Sequence, residues 1–92
     1  MNTIVKIGTS SCMPCRMLKP IFHQLKEEFG DKITFLEISD DSDPIMLQKY
    51  CVKFGIRGVP VVLVLDSNEN ELERITGLAN IQTYTELIQK YI

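Results

Sequence analysis

The feature that most constrains the fold is a strand–helix–strand pattern in the first 38 residues. Residues 3–7 are rich in β-branched side chains and stop at Gly8, which predicts a strand followed by a loop. Apolar residues then recur every three or four positions from Cys15 to Phe29, the spacing of one face of an α-helix. Residues 33–38 predict a second strand. Two strands joined by a helix should be parallel, with a right-handed crossover.

The ends of this first helix also carry signals. Ser10 or Ser11 is the expected N-cap, since a hydroxyl can accept a hydrogen bond from the first turn. Gly30 is expected to end the helix. Pro20 lies inside the pattern and predicts a kink, because proline lacks a backbone donor and crowds the preceding turn.

The second half of the chain completes an α/β pattern. The acidic run Asp40-Asp41-Ser42-Asp43 predicts a solvated loop that also caps a helix. Ile45, Leu47, Tyr50 and Cys51 indicate that helix. The apolar run 61–65 is typical of a central strand that is buried on both faces. Residues 66–70 predict a turn and residues 71–76 an outer strand, so the two strands form a hairpin. Asn80 can cap a last helix with its apolar residues on one face.

The predicted order is therefore β-α-β-α-β-β-α, with a mixed four-stranded sheet and helices on both faces. Ninety-two residues predict a single domain, residues 1–92. A net charge of −2 does not suit nucleic-acid binding, which needs a basic face. The sequence has neither an apolar run of about 18 residues nor a signal-peptide pattern at its start. We therefore expect a cytoplasmic protein that binds no membrane.

Two of the three cysteines form a Cys-x-x-Cys pair, Cys12 and Cys15, where the first helix should begin. The unpaired N–H groups and positive dipole end of a helix start favour an anion, and the attacking species in disulfide exchange is a thiolate. Cys15 is three residues on and lies on the same side of the helix, while Pro14 stiffens the small ring between them. We predict that Cys12 is the exposed nucleophile and Cys15 the resolving thiol.

Other interpretations of the cysteines stay open at this point. A structural zinc site usually needs four Cys or His ligands, and this chain offers one pair plus Cys51 and His23. An inert pair of buried thiols is a second alternative. We expect His23 on the helix surface, and Cys51 either on the core face of the second helix or in a regulatory or intermolecular disulfide.

The sequence resembles the thioredoxin family over nearly its whole length. Cys12-Met13-Pro14-Cys15 followed by Pro20 is similar to the family's active-site helix, and residues 54–60 are similar to its segment that ends in a cis-proline. Gly77 falls where the family has a glycine after the last strand. The resemblance implies a thioredoxin fold that begins at the family's second strand and lacks the usual N-terminal strand and helix.

The resemblance also implies which residues surround the dithiol. The peptide before Pro60 should be cis and face the cysteines, and the backbone of Val59 should pair with an extended target segment. Together with Met13 and Gly77, these residues are the expected substrate-binding surface.

The sequence departs from the family pattern in three ways. Ser11 stands where the family has a tryptophan, and Met13 stands where it has a glycine, which should alter target choice. The family's buried carboxylate and its lysine partner are exchanged, so that Lys6 and Glu37 occupy those positions. We hypothesise that Lys6 and Glu37 form an inverted ion pair beneath Cys15, where they tune the thiols or relay a proton.

The resemblance implies an enzyme, a protein-disulfide oxidoreductase acting as a monomer. It would reduce disulfide-containing proteins with no cofactor or metal beyond its own reversible Cys12–Cys15 disulfide. A thioredoxin-reductase-like protein or another thiol donor would recharge it. Two alternatives remain: a glutathione-linked, glutaredoxin-like reductase, and a binding module whose dithiol is incidental. Residues 77–80 lack the glycine pair and acidic cap with which glutaredoxins bind glutathione, which disfavours the first.

Overall fold

The computed structural model describes residues 1–92, which form four strands and three helices in the predicted order. In chain order these are β1 (Thr3–Ile7), α1 (Met13–Phe29), β2 (Thr34–Ile38), α2 (Pro44–Lys53), β3 (Val61–Leu65), β4 (Glu71–Thr76) and α3 (Ile81–Lys90). The predicted α/β class with a mixed four-stranded sheet is confirmed. None of the three helices combines the length and the apolar character that crossing a membrane requires.

The strands lie across the sheet in the order β2, β1, β3 and β4. β1 pairs parallel with β2 and antiparallel with β3, and β4 pairs antiparallel with β3. The register places Lys6 on β1 directly beside Glu37 on β2. Every residue of β3 is buried, as its apolar run predicted, because this strand has a neighbour on each side and helices over both faces.

Two apolar cores lie on opposite faces of the sheet, because successive strand residues point to opposite sides. Ile4 and Val64 belong to the core that α1 and α3 cover. Val5 and Leu63, their neighbours in sequence, belong to the core that α2 covers. Lys6 has the parity of Ile4, so it points to the α1 side, and its Nζ lies 5.5 Å from the centre of the Phe22 ring.

The helix α1 has the predicted buried stripe but a different N-cap. Its five buried residues are Cys15, Leu18, Phe22, Leu25 and Phe29. The expectation that Ser10 or Ser11 caps the helix is wrong: the N-cap is Cys12, whose sulfur accepts from the backbone N–H of Cys15. The serines lie in the turn that leads to Cys12, and Ser10 bonds to Asp40 instead.

Smaller differences concern β2 and α2. Ile33 is fully buried, but its backbone N–H donates to the carbonyl of Phe29 at 3.1 Å, so β2 starts one residue later than predicted. Asp43 caps α2 by accepting from Met46 at 3.0 Å. Ile45, expected on the apolar face of this helix, is 81% exposed, and the buried side begins only beyond it.

Candidate active site

The loop between β1 and α1 places Cys12 at the point where the helix begins. The backbone N–H of Cys12 donates to the carbonyl of Thr9 at 3.3 Å, which closes a tight turn. The carbonyl of Cys12 accepts from Arg16 at 3.2 Å and so starts the helical ladder. Cys12 itself keeps an extended backbone, with φ −91° and ψ 115°, so its side chain is directed at the unpaired donors of the first turn.

Cys12 and Cys15 are joined as a disulfide, with their Cα atoms 5.2 Å apart. Cys12 is partly exposed, whereas Cys15 is buried, with 8% of its surface accessible. The N–H of Cys15 donates to the Cys12 sulfur at 3.2 Å. After reduction, this hydrogen bond and the positive end of α1 would both stabilise a thiolate at Cys12. The outer sulfur can therefore be attacked or can attack, while the inner one can reach only its neighbour.

Gly8 allows β1 and α1 to approach closely, a role that the sequence alone does not reveal. A Cβ at this position would lie 3.0 Å from the sulfur and 3.1 Å from the Cβ of Cys15, tighter than ordinary packing. The only sequence signal is a glycine at the end of a strand, which indicates a turn equally well.

The Val59–Pro60 peptide is cis and lies against the cysteines. The carbonyl oxygen of Val59 is 3.8 Å from the Cys12 sulfur, a distance at which a Cys12 thiol could donate a weak hydrogen bond. Pro60 is buried, and its carbonyl accepts from the N–H of Gly77 at 2.8 Å. Gly77 has a φ of +84°, which explains why glycine suits this position.

Lys6 and Glu37 form an ion pair, with Nζ and Oε1 2.9 Å apart. Lys6 is 8% exposed, whereas half of the Glu37 side chain reaches solvent, at 49%. Both residues line a cavity of about 90 Å³ whose wall also includes Cys15 and Pro60. The pair therefore lies on the inner side of the dithiol, open to water through the cavity.

The remaining predicted residues divide between the site and other surfaces. Met13 is 59% exposed beside Cys12, and Pro14 occupies the first turn of α1. His23 lies on the solvent face of α1 with Glu27 3.2 Å away, and Cys51 packs partly buried against the α2 core. No three His, Cys, Asp or Glu side chains come together in a way that could hold a metal ion.

Comparison with known proteins agrees with this geometry. The sequence model of the thioredoxin family matches residues 1–90. The chain is 34% identical over 89 residues to an M-type chloroplastic thioredoxin of Zea mays, an alignment covering 97% of this chain and 50% of that protein. It is 31% identical over 81 residues to a thioredoxin of Bacillus subtilis (strain 168), covering 88% of this chain and 73% of that protein.

The chain spans about half the length of the chloroplastic relatives from Zea mays and rice. The crystal structure of a reduced Schistosoma mansoni thioredoxin pre-protein superposes with a TM-score of 0.81 at 23% identity, over 99% of this chain and 79% of that one. The structural superposition establishes the fold, and the match to the family model establishes the relationship in sequence. The chain therefore belongs to the thioredoxin family.

Proposed function

We propose that this protein is a thiol-disulfide oxidoreductase that reduces disulfides in other proteins. The observation that carries the proposal is the unequal setting of two cysteines on one helical turn. Cys12 is partly exposed and accepts a backbone N–H, whereas Cys15 is buried next to it. This is the arrangement that two successive exchange steps require, with one sulfur meeting the target and the other completing the reaction.

The reaction balances without a cofactor. The Cys12 thiolate attacks one sulfur of the target disulfide, and the other target sulfur leaves as a thiolate that takes up a proton. Cys15, deprotonated, then attacks the Cys12 sulfur and expels the second target thiolate. The target gains two electrons and two protons, and the chain is left with the Cys12–Cys15 disulfide.

The target would lie over Cys12 as an extended segment along Val59. The backbone N–H of Val59 makes no hydrogen bond within the chain, so it is available to pair with a second strand. We assign Met13 and Gly77 to the same surface, since Met13 is exposed next to Cys12 in sequence and Gly77 bonds to Pro60; the flexible Met13 side chain can adapt to different apolar neighbours of the target cysteine.

Lys6 and Glu37 would influence the ionisation of Cys15 from the inner side of the dithiol. A cation near a sulfur favours the thiolate, and Lys6 lines the same cavity as Cys15; we assign Glu37, half exposed in that cavity, the role of a proton relay. Lys6→Met and Glu37→Gln should each change the thiol titration and slow reduction, whereas Lys32→Met, which removes an exposed lysine far along the chain, should not. Unchanged titration and rate in both variants would remove the pair from the mechanism.

The site must be returned to the dithiol after each turnover, so we also propose a reducing compartment, the cytoplasm, and a thiol-donating reductase as partner. Disulfide-containing proteins are the other partners. The chemistry needs no metal or bound cofactor, and one chain carries both sulfurs.

The proposal is tested by trapping targets on the chain. Cys15→Ser leaves Cys12 to attack but removes the resolving sulfur, so mixed disulfides should accumulate and release their targets when dithiothreitol is added. Cys12→Ser is the matched control and should trap none, and Cys51→Ser should behave like the parent chain. If Cys15→Ser traps no protein, and the parent chain does not speed insulin reduction by dithiothreitol, the proposal is wrong.

The same assays separate the alternatives. A glutaredoxin-like protein would turn over with glutathione as the only thiol donor. A binding module would fail in the insulin assay, and its affinity for a partner would survive Cys12→Ser.

A further inference from the structure

The loop that carries Cys12 contains no large apolar side chain. Between β1 and Cys12 the chain reads Gly8-Thr9-Ser10-Ser11. Loops before a helix are often fixed by an apolar residue that packs into the core, as in the hydrophobic staple. This loop has no such residue, so hydrogen bonds must fix the position and direction in which the chain enters α1.

Two anchors at the end of β2 hold the loop. The N–H of Gly8 donates to the carbonyl of Ile38 at 3.1 Å and continues the β1–β2 ladder. The carboxylate of Asp40 then accepts twice from Ser10, from its backbone N–H at 2.7 Å and from its hydroxyl at 3.0 Å. Thirty residues separate Ser10 from Asp40 along the chain, and β1–β2 pairing brings them together.

Asp40 holds the middle of the turn that ends at Cys12. Ser10 is an inner residue of the turn closed by the Cys12 N–H and the Thr9 carbonyl. The hydrogen bonds from Ser10 hold the pKa of Asp40 below its ordinary value, so the carboxylate is ionised at neutral pH. Hydrogen bonds to an ionised acceptor are stronger than neutral ones, and solvent weakens this advantage because both bonds are exposed.

We propose that Asp40 is a positioning residue for the reactive cysteine: by clamping Ser10 it holds Cys12 where the Cys15 N–H meets its sulfur. The inference rests on the proposed thiol chemistry. Asp40 touches no reacting atom, and it acts through the turn.

The sign of one measurement separates positioning from charge. Removing a nearby negative charge would by itself favour the Cys12 thiolate and move its titration to lower pH. Releasing the turn weakens the Cys15 N–H contact to the sulfur and moves the titration to higher pH. We therefore propose to follow the rate of Cys12 alkylation by iodoacetamide against pH, in the reduced protein with Cys51→Ser as background.

Asp40→Ala should move the midpoint of this profile to higher pH and slow alkylation below the midpoint about threefold. Asp40→Asn keeps one acceptor oxygen and should shift it less. Ser10→Ala loses only the hydrogen bond from the hydroxyl and should shift the midpoint least. The double variant Ser10→Ala/Asp40→Ala should shift the midpoint no further than Asp40→Ala does, since both substitutions break the same contact. Asp31→Asn removes an exposed carboxylate at the other end of β2 and is the matched control.

A midpoint that stays in place or moves to lower pH in both Asp40 variants would overturn the proposal. If Asp40→Ala does not fold, as judged by circular dichroism, Asp40→Asn and Ser10→Ala carry the same test. Alkylation needs no turnover, so the clamp and the proposed function can fail separately. If the Asp40 variants shift the alkylation midpoint as expected but the parent chain does not reduce insulin, the proposed function is rejected and the positioning role of Asp40 stands.

Discussion

The β4 edge of the sheet and the end that carries the dithiol differ in their charged side chains. Those on β4 are bonded within the chain, whereas some of those near Cys12 are not. On β4, the Arg74 guanidinium bonds both the carboxylate of Glu71 and the carbonyl of Phe54, the latter at 2.6 Å. Glu73 accepts two further hydrogen bonds, at 2.9 Å and 2.8 Å, from groups at the end of α3. These contacts tie three elements together and engage the charged side chains of Glu71, Glu73 and Arg74.

The dithiol end has charged and polar groups without partners. Arg16 and Lys19 make no salt bridge or side-chain hydrogen bond, and the N–H of Val59 is unpaired. Met13 and Met17, four residues apart on α1, are 59% and 55% exposed. Polar contacts therefore stabilise the fold at the β4 edge, while several groups around Cys12 have no partner within the chain.

The largest expected effect is confined to the dithiol end. Cys12→Ser should lower the rate of insulin reduction by roughly a thousandfold or more, because it removes both the nucleophile of the first step and the sulfur that Cys15 attacks in the second. Its free energy of unfolding in the reduced state should stay close to that of the parent chain, since Cys12 is partly exposed. A variant that keeps a tenth of the activity would show that another group attacks the target.

The next effect should reach both stability and reactivity. Gly8→Val places a branched side chain where a Cβ alone would lie 3.0 Å from the Cys15 sulfur. Overpacking of this kind costs about 1–3 kcal/mol, and it should also displace Cys15 and slow resolution of the mixed disulfide. Denaturant unfolding and stopped-flow exchange measure the two effects. Gly58→Val, at a position with open space, is the control for stability and should lose much less.

At the outer edge we expect a loss of stability alone. Arg74→Met removes hydrogen bonds to Glu71 and to the Phe54 carbonyl, and should cost about 1–2 kcal/mol in denaturant unfolding. Insulin reduction per folded molecule should be unchanged. A fall in that specific activity would mean that the two regions are coupled and that the contacts on β4 do not act on stability alone.

The smallest effect should be a loss of folding stability at acidic pH. The hydrogen bond from Arg74 lowers the pKa of Glu71, and that from Lys90 lowers the pKa of Glu73. A lowered carboxylate pKa stabilises the fold above the ordinary value of 4.5, and this contribution is lost as pH falls through the folded-state value.

The unfolding free energy should therefore decline as pH drops below about 4.5. It should decline less steeply in a chain with both Glu71→Gln and Glu73→Gln. Glu28→Gln, on the exposed side of α1, should keep the slope of the parent chain. Equal slopes in all three proteins would show that the edge carboxylates do not carry the acid sensitivity.

Much of the fold could be predicted because it depends on local periodicity. The stripe from Cys15 to Phe29 can bury one face only as a helix, and the apolar run of β3 needs cover on both sides. Ile45 shows the limit of this reasoning. It fits a helical spacing, but which face of α2 meets the sheet is decided by the larger set of residues that pack there.

The site was predicted unevenly. Cys12, Cys15 and the cis Val59–Pro60 peptide followed from a motif and a family resemblance. Gly8 was missed because a glycine after a strand has several ordinary explanations, and only the packed helix reveals the tight approach to Cys15.

By itself the sequence determined the order of strands and helices and the place of the dithiol at the start of α1, because spacing and local chemistry specify both. Only the tertiary structure decided that Cys12 rather than a serine caps that helix. It also decided that Ser10 meets Asp40, and that Lys6 and Glu37, whose pairing was only a hypothesis from the family resemblance, are in contact. These contacts join residues about thirty positions apart, and the register of β1 against β2 sets them. Register depends on the packing of the whole sheet, which no local pattern contains.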